Sequence, residues 1–365
     1  MQQILVIGAG LGGLACALAC ARSGARVDVL ESRASFKPLP IHVNVVPHML
    51  RDFARLGVAD ECVRAGFAYH GVAVVDEFGN GQFELPTPRL AGGKYPCAVG
   101  ITFERLHGLL LNAAREAGAA VHMDMAVESL DAERGCALLA DGTVARADVV
   151  VLATGSGSAL VEQLCGRVEE DDVARSSWHM LIRRPKGIDR ATWMLGERGR
   201  RLLLLPVGMN EAGLVVVDSP RCPSAEDEVS VSGLLENWGE WPRRIASLLP
   251  SASPTALRFR TATLPRPPWA RGAVLAAGAS VHAIASPFGQ SMAQAMEDAA
   301  VLADLLADPS DKSALLARYV NRRLPRSTRL QALSCQAARW IDQPEPATDL
   351  VALAHEIDSL TALPA

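Results

Sequence analysis

The chain has 365 residues, 49% of them hydrophobic, and a formal net charge of −4. This length can bury a large core and predicts two closely joined domains. The weakly acidic charge lacks the basic footprint of a nucleic-acid-binding protein, and no apolar run reaches the roughly 20 residues that span a bilayer, so the sequence predicts a cytoplasmic protein with a small-molecule partner.

A glycine-rich turn follows the first predicted strand. Residues 4–7 (ILVI) predict the strand, residues 8–13 (GAGLGG) follow at once, and an Ala/Leu/Cys-rich segment predicts a helix that begins at the turn. In such a turn Gly8 permits the tight bend, Gly10 lets the backbone approach a pyrophosphate, and Gly13 lets helix and strand pack closely. The helix start adds N–H groups and a positive dipole, which favour an anion.

An acidic residue ends the second predicted strand. The apolar run Arg26–Leu30 is followed by Glu31, where a carboxylate can accept hydrogen bonds from a ribose. Strand, glycine turn, helix and acid occur in the expected order, which is much more specific than a glycine motif alone. The sequence therefore predicts a dinucleotide-binding βαβ unit at the start of the chain.

The eight cysteines are scattered along the chain. They include no CxxC pair and no Cys/His cluster at the spacing of metal ligands. They therefore predict mostly buried, reduced thiols, and no metal site is expected.

The first half of the chain continues with alternating helices and strands. Residues Asp148–Gly155 are apolar almost to their end and predict a buried parallel strand that returns to the nucleotide. The other predicted elements are a helix over Val43–Gly57 with Pro47 in its first turn, strands within Val72–Leu85, a helix over Phe103–Gly118, strands over Ala120–Met123, Ala126–Asp131 and Cys136–Ala140, and a hairpin at Asp141-Gly142.

The second half predicts a sheet and then helices. Four β-like segments indicate a mostly antiparallel sheet that forms a second layer: Trp178–Ile182, Thr192–Leu195, Arg201–Pro206 and Gly213–Asp218. After it the sequence predicts a helix opened by Ser224–Asp227, a buried strand over Ala273–Gly278, a helix from the Pro287–Ser291 segment through Leu306, and helical segments almost to the end.

Three segments of the chain resemble the class A FAD-dependent aromatic hydroxylases, which include para-hydroxybenzoate and salicylate hydroxylases. The first is the glycine turn with Glu31, and the second is Asp148–Gly155 with Ser156–Ala159. The third is Gly278–His282, followed by Ser286–Ser291 and Glu297–Ala299. The resemblance runs from residue 2 to about residue 340.

This resemblance implies an α/β fold, in which a Rossmann-type FAD-binding domain is interleaved with a mostly antiparallel substrate domain and followed by C-terminal helices. The implied FAD-binding parts are 1–70, 101–172 and 269–308, the substrate-domain parts are 71–100 and 173–268, and the helical segment is 309–365. The oligomeric state stays open.

The resemblance also assigns a cofactor site. It implies that the turn over Gly289–Met292 lies at the pyrimidine edge of the flavin, where N–H groups at a helix start stabilise negative charge on the reduced ring. Pro287 would pack near the reactive face. The implied cofactor-binding residues are Gly8, Gly10, Leu11, Gly13, Glu31, Ser32, Arg33, Arg105, Val127, Thr154, Gly155, Gly278, Ala279, Pro287, Gly289, Gln290, Ser291 and Met292.

Three positions depart from the family pattern. Thr154 and Ala279 stand where the family has aspartates, and Phe103 stands where it has an arginine that reaches the pyrophosphate, with Arg105 as a candidate substitute. Lost hydrogen bonds of about 0.5 to 3 kcal/mol each would weaken FAD binding by about two to four powers of ten. The sequence therefore predicts a weakly bound, exchangeable flavin.

A further departure concerns the reductant. Residues 37–43 (KPLPIHV) replace the family's small, glycine-rich stretch beside the flavin, and two prolines restrict the backbone there. Electrons could therefore come from NADH or NADPH, or from free reduced flavin made by a separate reductase. The cluster of Arg198, Arg200 and Arg201 could bind a phosphate of NADPH, or form a solvated hairpin edge.

The implied reaction is the hydroxylation of a planar aromatic or heteroaromatic small molecule by dioxygen, through a flavin C4a-hydroperoxide. His179 is a candidate substrate-facing base, because it lies on the first predicted strand of the second layer. A structural role for His179 is the alternative. His282 is interpreted as a structural group behind the flavin ring, and His42 as a group near flavin or substrate or on a surface loop.

Several apolar side chains could line the substrate pocket. Core packing is the favoured interpretation for Trp178, Trp193, Met180 and Met194, whereas Phe288 adjoins the flavin motif. Two other functions stay open for the chain. It could be an FAD-dependent oxidase, dehydrogenase or redox-neutral cyclase on the same scaffold, or a binding protein that has lost flavin.

Overall fold

The structure is a computed structural model. It describes residues 2–37, 39–166, 169–171, 176–196, 200–217, 235, 238–249, 255–258, 261–263, 269–282, 284, 290–308, 314–343 and 345–365. The strands, numbered in chain order, are β1 (Gln3–Ile7), β2 (Arg26–Leu30), β3 (His42–Val45), β4 (Phe67–Tyr69), β5 (Val72–Asp76), β6 (Gly81–Leu85), β7 (Ala98–Thr102), β8 (Ala120–His122), β9 (Val127–Asp131), β10 (Cys136–Leu139), β11 (Val144–Arg146), β12 (Val149–Leu152), β13 (Glu169–Asp171), β14 (Ser176–Arg183), β15 (Ala191–Leu195), β16 (Arg201–Pro206), β17 (Glu211–Val217), β18 (Thr255–Arg258), β19 (Thr261–Thr263), β20 (Ala270–Arg271) and β21 (Val274–Ala276).

The described helices are α1 (Leu11–Arg22), α2 (Pro47–Arg55), α3 (Ala59–Ala65), α4 (Phe103–Glu116), α5 (Ala159–Cys165), α6 (Glu240–Ala246), α7 (Gln290–Ala307), α8 (Leu315–Asp342) and α9 (Leu350–Ala362). A short 3₁₀ turn covers Gly278–Ser280. No helix among the described residues combines the length and apolar character that crossing a bilayer requires.

The centre of the half that is predicted to bind a nucleotide is a six-stranded sheet in the order β20-β21-β12-β1-β2-β8. Strands β21, β12, β1, β2 and β8 are parallel, and β20 is antiparallel to β21. Every residue of β12 is buried, which confirms the predicted parallel strand within Asp148–Gly155. Because parallel strands carry their connections at the same ends, the segments after β1, β12 and β21 meet at one edge of this sheet.

Two helices pack together beneath that edge. Helix α1 is buried along almost its whole length, since Ala, Leu and Cys side chains cover all its faces. Helix α7 packs against it so closely that a Cβ on Gly12 would lie 3.3 Å from Cβ of Ala295. A Cβ on Gly278 would lie 3.5 Å from the same atom, so the first and third resemblance segments meet around Ala295.

A seven-stranded sheet forms the second layer, in the order β18-β14-β17-β16-β15-β5-β6. Its neighbouring strands are antiparallel except for the parallel pair β15 and β5. Alternate residues face opposite sides of such a sheet. One face, called the outer face, carries an apolar cluster that includes Trp178, Met180 and Met194. The opposite face, called the inner face, carries a second cluster that includes Leu203 and Val215 and packs against Tyr69 and Ala98.

A three-stranded sheet, β3-β7-β4, connects the two halves. The helix predicted over Val43–Gly57 is wrong at its start: Val43 and Val45 alternate with Asn44 in β3, and α2 begins only at Pro47. Residues before a proline avoid the helical conformation, which explains this boundary. Strand β7, which the sequence analysis missed, pairs with β3 and places His42 opposite Thr102.

The other predicted elements are confirmed within a few residues, including the Asp141-Gly142 hairpin between β10 and β11 and the helix that ends near Leu306. The predicted helix opening at Ser224–Asp227 lies outside the described residues. At the C-terminal end, α8 and α9 form a further apolar cluster with Ile284.

Candidate active site

The glycine turn has room for a side chain at one of its glycines and no room at two others. Gly8 has a φ of 105°, and a Cβ there would lie 2.5 Å from the carbonyl oxygen of Ala153. A Cβ on Gly13 would collide with the carbonyl oxygen of Gly8. No atom of the described residues lies within 4 Å of a Cβ on Gly10, which precedes the first residue of α1, Leu11. The open space therefore lies where the predicted pyrophosphate would approach the backbone.

Glu31 lies beside this turn. Its carboxylate accepts hydrogen bonds from the backbone N–H of Ala9, at 2.9 Å, and of Arg33, at 3.0 Å. Ser32 and Arg33 are exposed, and the backbone N–H of Met125 donates to the carbonyl oxygen of Glu31. Val127, two residues further on, begins β9 and is half-buried. The structure thus gathers the predicted adenosine-end residues around Glu31.

His107 is a site residue that the sequence analysis missed. Its Nε2 lies 2.8 Å from the carbonyl oxygen of Ala9, and its ring stacks on Phe36 with centroids 3.3 Å apart. Burial lowers the pKa of His107, so the neutral ring donates its Nε2–H to Ala9. Phe103 lies beside this stack, 6.1 Å from Phe36. The only sequence signal for this role was the spacing of His107 one helical turn after Phe103.

Arg105 is directed away from the glycine turn. Its guanidinium lies 3.1 Å from the carboxylate of Glu211 and donates to the carbonyl oxygen of Val207 at 3.2 Å. Both partners belong to the end of the antiparallel sheet. The role of Arg105 at the pyrophosphate stays a prediction, and it would require Arg105 to leave Glu211.

The middle and third segments are joined by a hydrogen bond. The backbone N–H of Gly155 donates to Oγ of Ser280 at 3.1 Å. Thr154 precedes it, and its buried Oγ1 has no hydrogen-bond partner among the described residues. Ala279, in the 3₁₀ turn, is half-buried. Thr154 and Ala279 therefore occupy the same corner of the sheet edge.

Asp298 anchors the 3₁₀ turn from below. Its Oδ2 accepts the backbone N–H of Gly278 and Nε2 of His282, both at 2.7 Å, and its Oδ1 accepts Nε of Arg323 at 2.6 Å. Burial alone would raise the pKa of Asp298, but His282 and Arg323 hold the pKa well below its usual range. His282 is almost completely buried, as its predicted structural role requires.

A buried ionic network extends from Asp298 to the end of the chain. Glu297 is fully buried and pairs with Arg51, Arg326 and Arg323. Arg51 also donates to the carbonyl oxygen of Thr361, near the end of α9, at 2.7 Å. Charges buried in this way persist because they are paired. The network therefore holds α2, α7, α8 and α9 in fixed relative positions behind the sheet edge.

Helix α7 begins at the same edge. Gln290 is buried and lies beside His48 of α2, while Ser291 and Met292 are half-buried. Pro287, Phe288 and Gly289 lie outside the described residues. The predicted pyrimidine-edge turn is thus represented by its last three residues, above the contact of α7 with α1.

The pleat of the antiparallel sheet separates the candidate pocket residues. Trp178, Met180 and Met194 pack in the outer cluster, as core residues. Trp193 lies on the inner face. Arg200 lies over the ring of Trp238, 5.0 Å from its centroid, and Arg198 is outside the described residues.

His179 and His42 lie together at the inner face. Their ring centroids are 6.1 Å apart, and Oγ of Ser177 lies 3.1 Å from Nε2 of His179. Burial lowers the pKa of His179 to about 4. Burial, together with the charge of His179, lowers the pKa of His42 to about 3. Both imidazoles are therefore neutral near pH 7.

These buried histidines predict acid destabilisation. Burial also lowers the pKa of His48 to about 4, from an ordinary value of 6.5. Below pH 6.5 these histidines bind protons in the unfolded chain but not in the native state. Their contribution to the free energy of unfolding is therefore fully present above pH 6.5 and is lost as the pH falls from 6.5 toward 4. Each histidine should cost about 2 kcal/mol at pH 5. Urea unfolding between pH 7.5 and 5 measures this loss, and His48→Asn should reduce its slope by about one proton. A stability that is flat over this range would contradict the prediction.

The described residues fit FAD. The open position at Gly10, the start of α1 and the carboxylate of Glu31 suit a pyrophosphate and a ribose. The buried, unpartnered Oγ1 of Thr154 provides a further polar group at the same edge. The first turn of α7 provides backbone N–H groups for a reduced ring.

Ala279→Asp is expected to tighten FAD binding. The half-buried turn position would supply a carboxylate where the family pattern has one, and a charged hydrogen bond contributes about 1.5 to 3 kcal/mol. Titration of the apoprotein with FAD, followed by flavin fluorescence, should give about a tenfold lower Kd. Ala279→Asn is the neutral control, and an Asp variant that binds FAD no better than wild type would contradict the placement of this turn.

Comparison with known proteins agrees with this geometry. The family model described as FAD binding domain matches residues 1–334. The chain is 27% identical to the FAD-dependent urate hydroxylase of Klebsiella oxytoca over 339 residues, covering 89% of this chain and 86% of that protein. It is 26% identical to the 6-hydroxynicotinate 3-monooxygenase of Bordetella bronchiseptica over 360 residues, covering 91% and 90%.

Solved structures show the same fold. The crystal structure of Klebsiella pneumoniae HpxO complexed with FAD and uric acid matches with a TM-score of 0.83 and 23% identity, covering 99% of this chain and 93% of that one. With a family match over most of its length, the chain belongs to the FAD-binding-domain family and, within it, to the class A FAD-dependent aromatic hydroxylases, which are flavoprotein monooxygenases.

Proposed function

We propose that this chain is a monooxygenase that hydroxylates a planar aromatic or heteroaromatic small molecule between its FAD site and the inner face of its antiparallel sheet. The observation that carries the proposal is the meeting of the three segments at one sheet edge, where Gly8 packs on Ala153 and Gly155 donates to Ser280, beside an open position at Gly10. The names of two relatives, a urate hydroxylase and a 6-hydroxynicotinate monooxygenase, support a ring substrate.

FAD, when bound and reduced, would supply the activation of dioxygen. The chain itself would bind and orient the two reactants. Gly10 and Glu31 would hold the adenosine diphosphate half, and the first turn of α7, at Gln290, would favour negative charge on the reduced ring. Asp298 and His282 would act as positioning residues, since they hold the 3₁₀ turn at the same edge.

His179 would face the substrate. It lies on the inner face beside apolar side chains, and its neutral ring can accept a proton from a phenol or an enol. Its lowered pKa makes it a weak base, so we assign it the binding and transient acceptance of that proton rather than a permanent charge.

The source of electrons is the second part of the proposal. Residues 42–45 are anchored to β7, with His42 opposite Thr102, directly after the proline-containing segment. A segment restrained in this way favours delivery of free reduced flavin from a separate reductase, with NADH or NADPH as the alternative donors.

The test is anaerobic reduction followed by oxygen. The FAD-loaded protein is mixed with NADH, NADPH or pre-reduced FAD, together with a panel of hydroxylated pyridines, quinolones and purines, and then exposed to ¹⁸O₂. A product that gains one ¹⁸O atom supports the monooxygenase, and the donor that yields it identifies the reductant. Peroxide without an oxygenated product would favour an oxidase, and failure to bind FAD would contradict both.

A further inference from the structure

The inner face of the antiparallel sheet is apolar around a polar centre. Residues that pair opposite one another on neighbouring strands form register rows across the sheet. One register row runs from His179 through Val215, Leu203 and Trp193 to Val74. The neighbouring row contains Leu181, Gly213, Leu205 and Ala191. A polar side chain in such a surface loses hydrogen bonds to water and must regain them from another partner.

The inner face borders accessible space, whereas the outer face does not. His179, Leu181 and Trp193 on the inner face are half-buried. Their neighbours on the outer face, Met180, Ile182 and Met194, are buried. Since these residues alternate along the same strands, the difference belongs to the faces and not to the strands.

Gly213 makes room for His42. A Cβ on Gly213 would collide with Nδ1 of His42, so the imidazole of β3 packs directly on the backbone of β17. This Nδ1 is buried, and no described residue hydrogen-bonds it. A buried nitrogen without a partner costs less as a bare acceptor than as an N–H, which favours the tautomer with its proton on Nε2. His42 is then a hydrogen-bond donor on the edge away from Gly213.

His179 completes a pair with His42. The two rings are tilted by 30°, with centroids 6.1 Å apart, and Ser177 fixes His179 through a contact of 3.1 Å at Nε2. Two neutral imidazoles at this distance offer both donor and acceptor groups to one small ring. His42 comes from the sheet that connects the two halves, and His179 comes from the antiparallel sheet.

We propose that His42 and His179 together bind the polar edge of the substrate, and that this edge belongs to an uncharged heteroaromatic ring carrying N–H and C=O or O–H groups. This inference rests on the proposed function, since it places the ring at the inner face. It adds His42 as a substrate-binding residue and Gly213 as the residue that positions it.

The charge of the surroundings supports an uncharged ligand. Apart from Ser177, the described inner-face side chains packed beside the pair are apolar, and the pair itself carries no charge near pH 7. The charged residues that β14, β16 and β17 place on this face, Arg183, Arg201 and Glu211, lie in other register rows, and Glu211 is already paired with Arg105. A carboxylate bound at the pair would lose its hydration beside two uncharged imidazoles, which is costly.

Three matched ligands test the proposal by their effect on the visible spectrum of the bound flavin: quinolin-4(1H)-one, its N-methyl derivative and its 2-carboxylate. Wild type should bind the quinolone about tenfold more tightly than either analogue. His42→Phe and His179→Phe keep the ring shape but remove the hydrogen bonds, so each should reduce this preference to about twofold or less. Gly213→Ala should do the same, because it displaces His42.

The controls are His355→Phe and Gly108→Ala. His355 is exposed on α9, and a Cβ on Gly108 of α4 meets no atom within 4 Å among the described residues, so both variants should keep the wild-type preference. FAD content is measured in wild type and in every variant. If the wild-type protein does not bind FAD, that result contradicts the proposed function and not the histidine pair. With FAD bound, three results would overturn the pair as the ligand site: no binding of the quinolone, tightest binding of the carboxylate, or a preference unchanged in all three variants.

Discussion

Gly10→Val is expected to abolish FAD binding while leaving the fold intact. Gly10 has a φ of −71° and a ψ of 177°, an extended conformation that any residue adopts, and its open side meets no described atom within 4 Å. The new side chain would fill the space in which a pyrophosphate must contact the N–H groups at the start of α1. We expect a loss of affinity of at least about a hundredfold, with a change in unfolding free energy within about 1 kcal/mol.

The measurement combines FAD titration with thermal unfolding of the apoprotein. Gly13→Ala is the matched control, because its added Cβ would collide with the carbonyl oxygen of Gly8 and must displace the strand or the helix. This control should lower the melting temperature of the apoprotein, whereas Gly10→Val should not. An unchanged FAD affinity in Gly10→Val would show that the glycine turn does not hold the pyrophosphate.

Asp298→Asn is expected to destabilise the protein by about 3 to 5 kcal/mol and to reduce FAD retention. The carboxylate accepts hydrogen bonds from Gly278, His282 and Arg323, and all of these contacts are buried. An amide keeps the shape but removes one of the two carboxylate charges, with that of Glu297, that compensate the fully buried Arg323. The 3₁₀ turn would also lose its anchor, so the cofactor edge should loosen.

Denaturant unfolding of the apoprotein and flavin content after gel filtration give the two readouts. Asp304→Asn is the control, since Asp304 is half-exposed and pairs with Arg322, at 3.1 Å, and with Arg55, neither of which is fully buried. Such exposed pairs contribute at most about 1 kcal/mol. Equal destabilisation by the two variants would contradict the structural importance of the buried network.

The glycine turn illustrates what could be predicted locally. The positive φ of Gly8 and the close packing of Gly13 on Gly8 arise within one strand, one turn and one helix, so the spacing of these glycines predicted them. The antiparallel sheet was likewise predicted strand by strand, because alternation of apolar residues reports which residues can be half-buried. The pleat then separates Trp178 from His179 without further information.

Residues at long-range contacts could not be predicted in this way. His107 reaches the turn because β7 places α4 beside it, and Arg105 is drawn to Glu211 by the end of a sheet that lies about one hundred residues later in the chain. At Val43 the prediction from local pattern was wrong, because a strand that pairs with the distant β7 was predicted as helix.

By itself, the sequence determined the βαβ unit, the acid at its second strand, the second antiparallel layer and the family resemblance, because each depends on local periodicity and spacing. Only the tertiary structure decided that Asp298 and Arg323 form one buried network, that Gly213 admits His42, and that His42 and His179 meet. These contacts join residues far apart in the chain, and their energies depend on burial and distance, which no local pattern encodes.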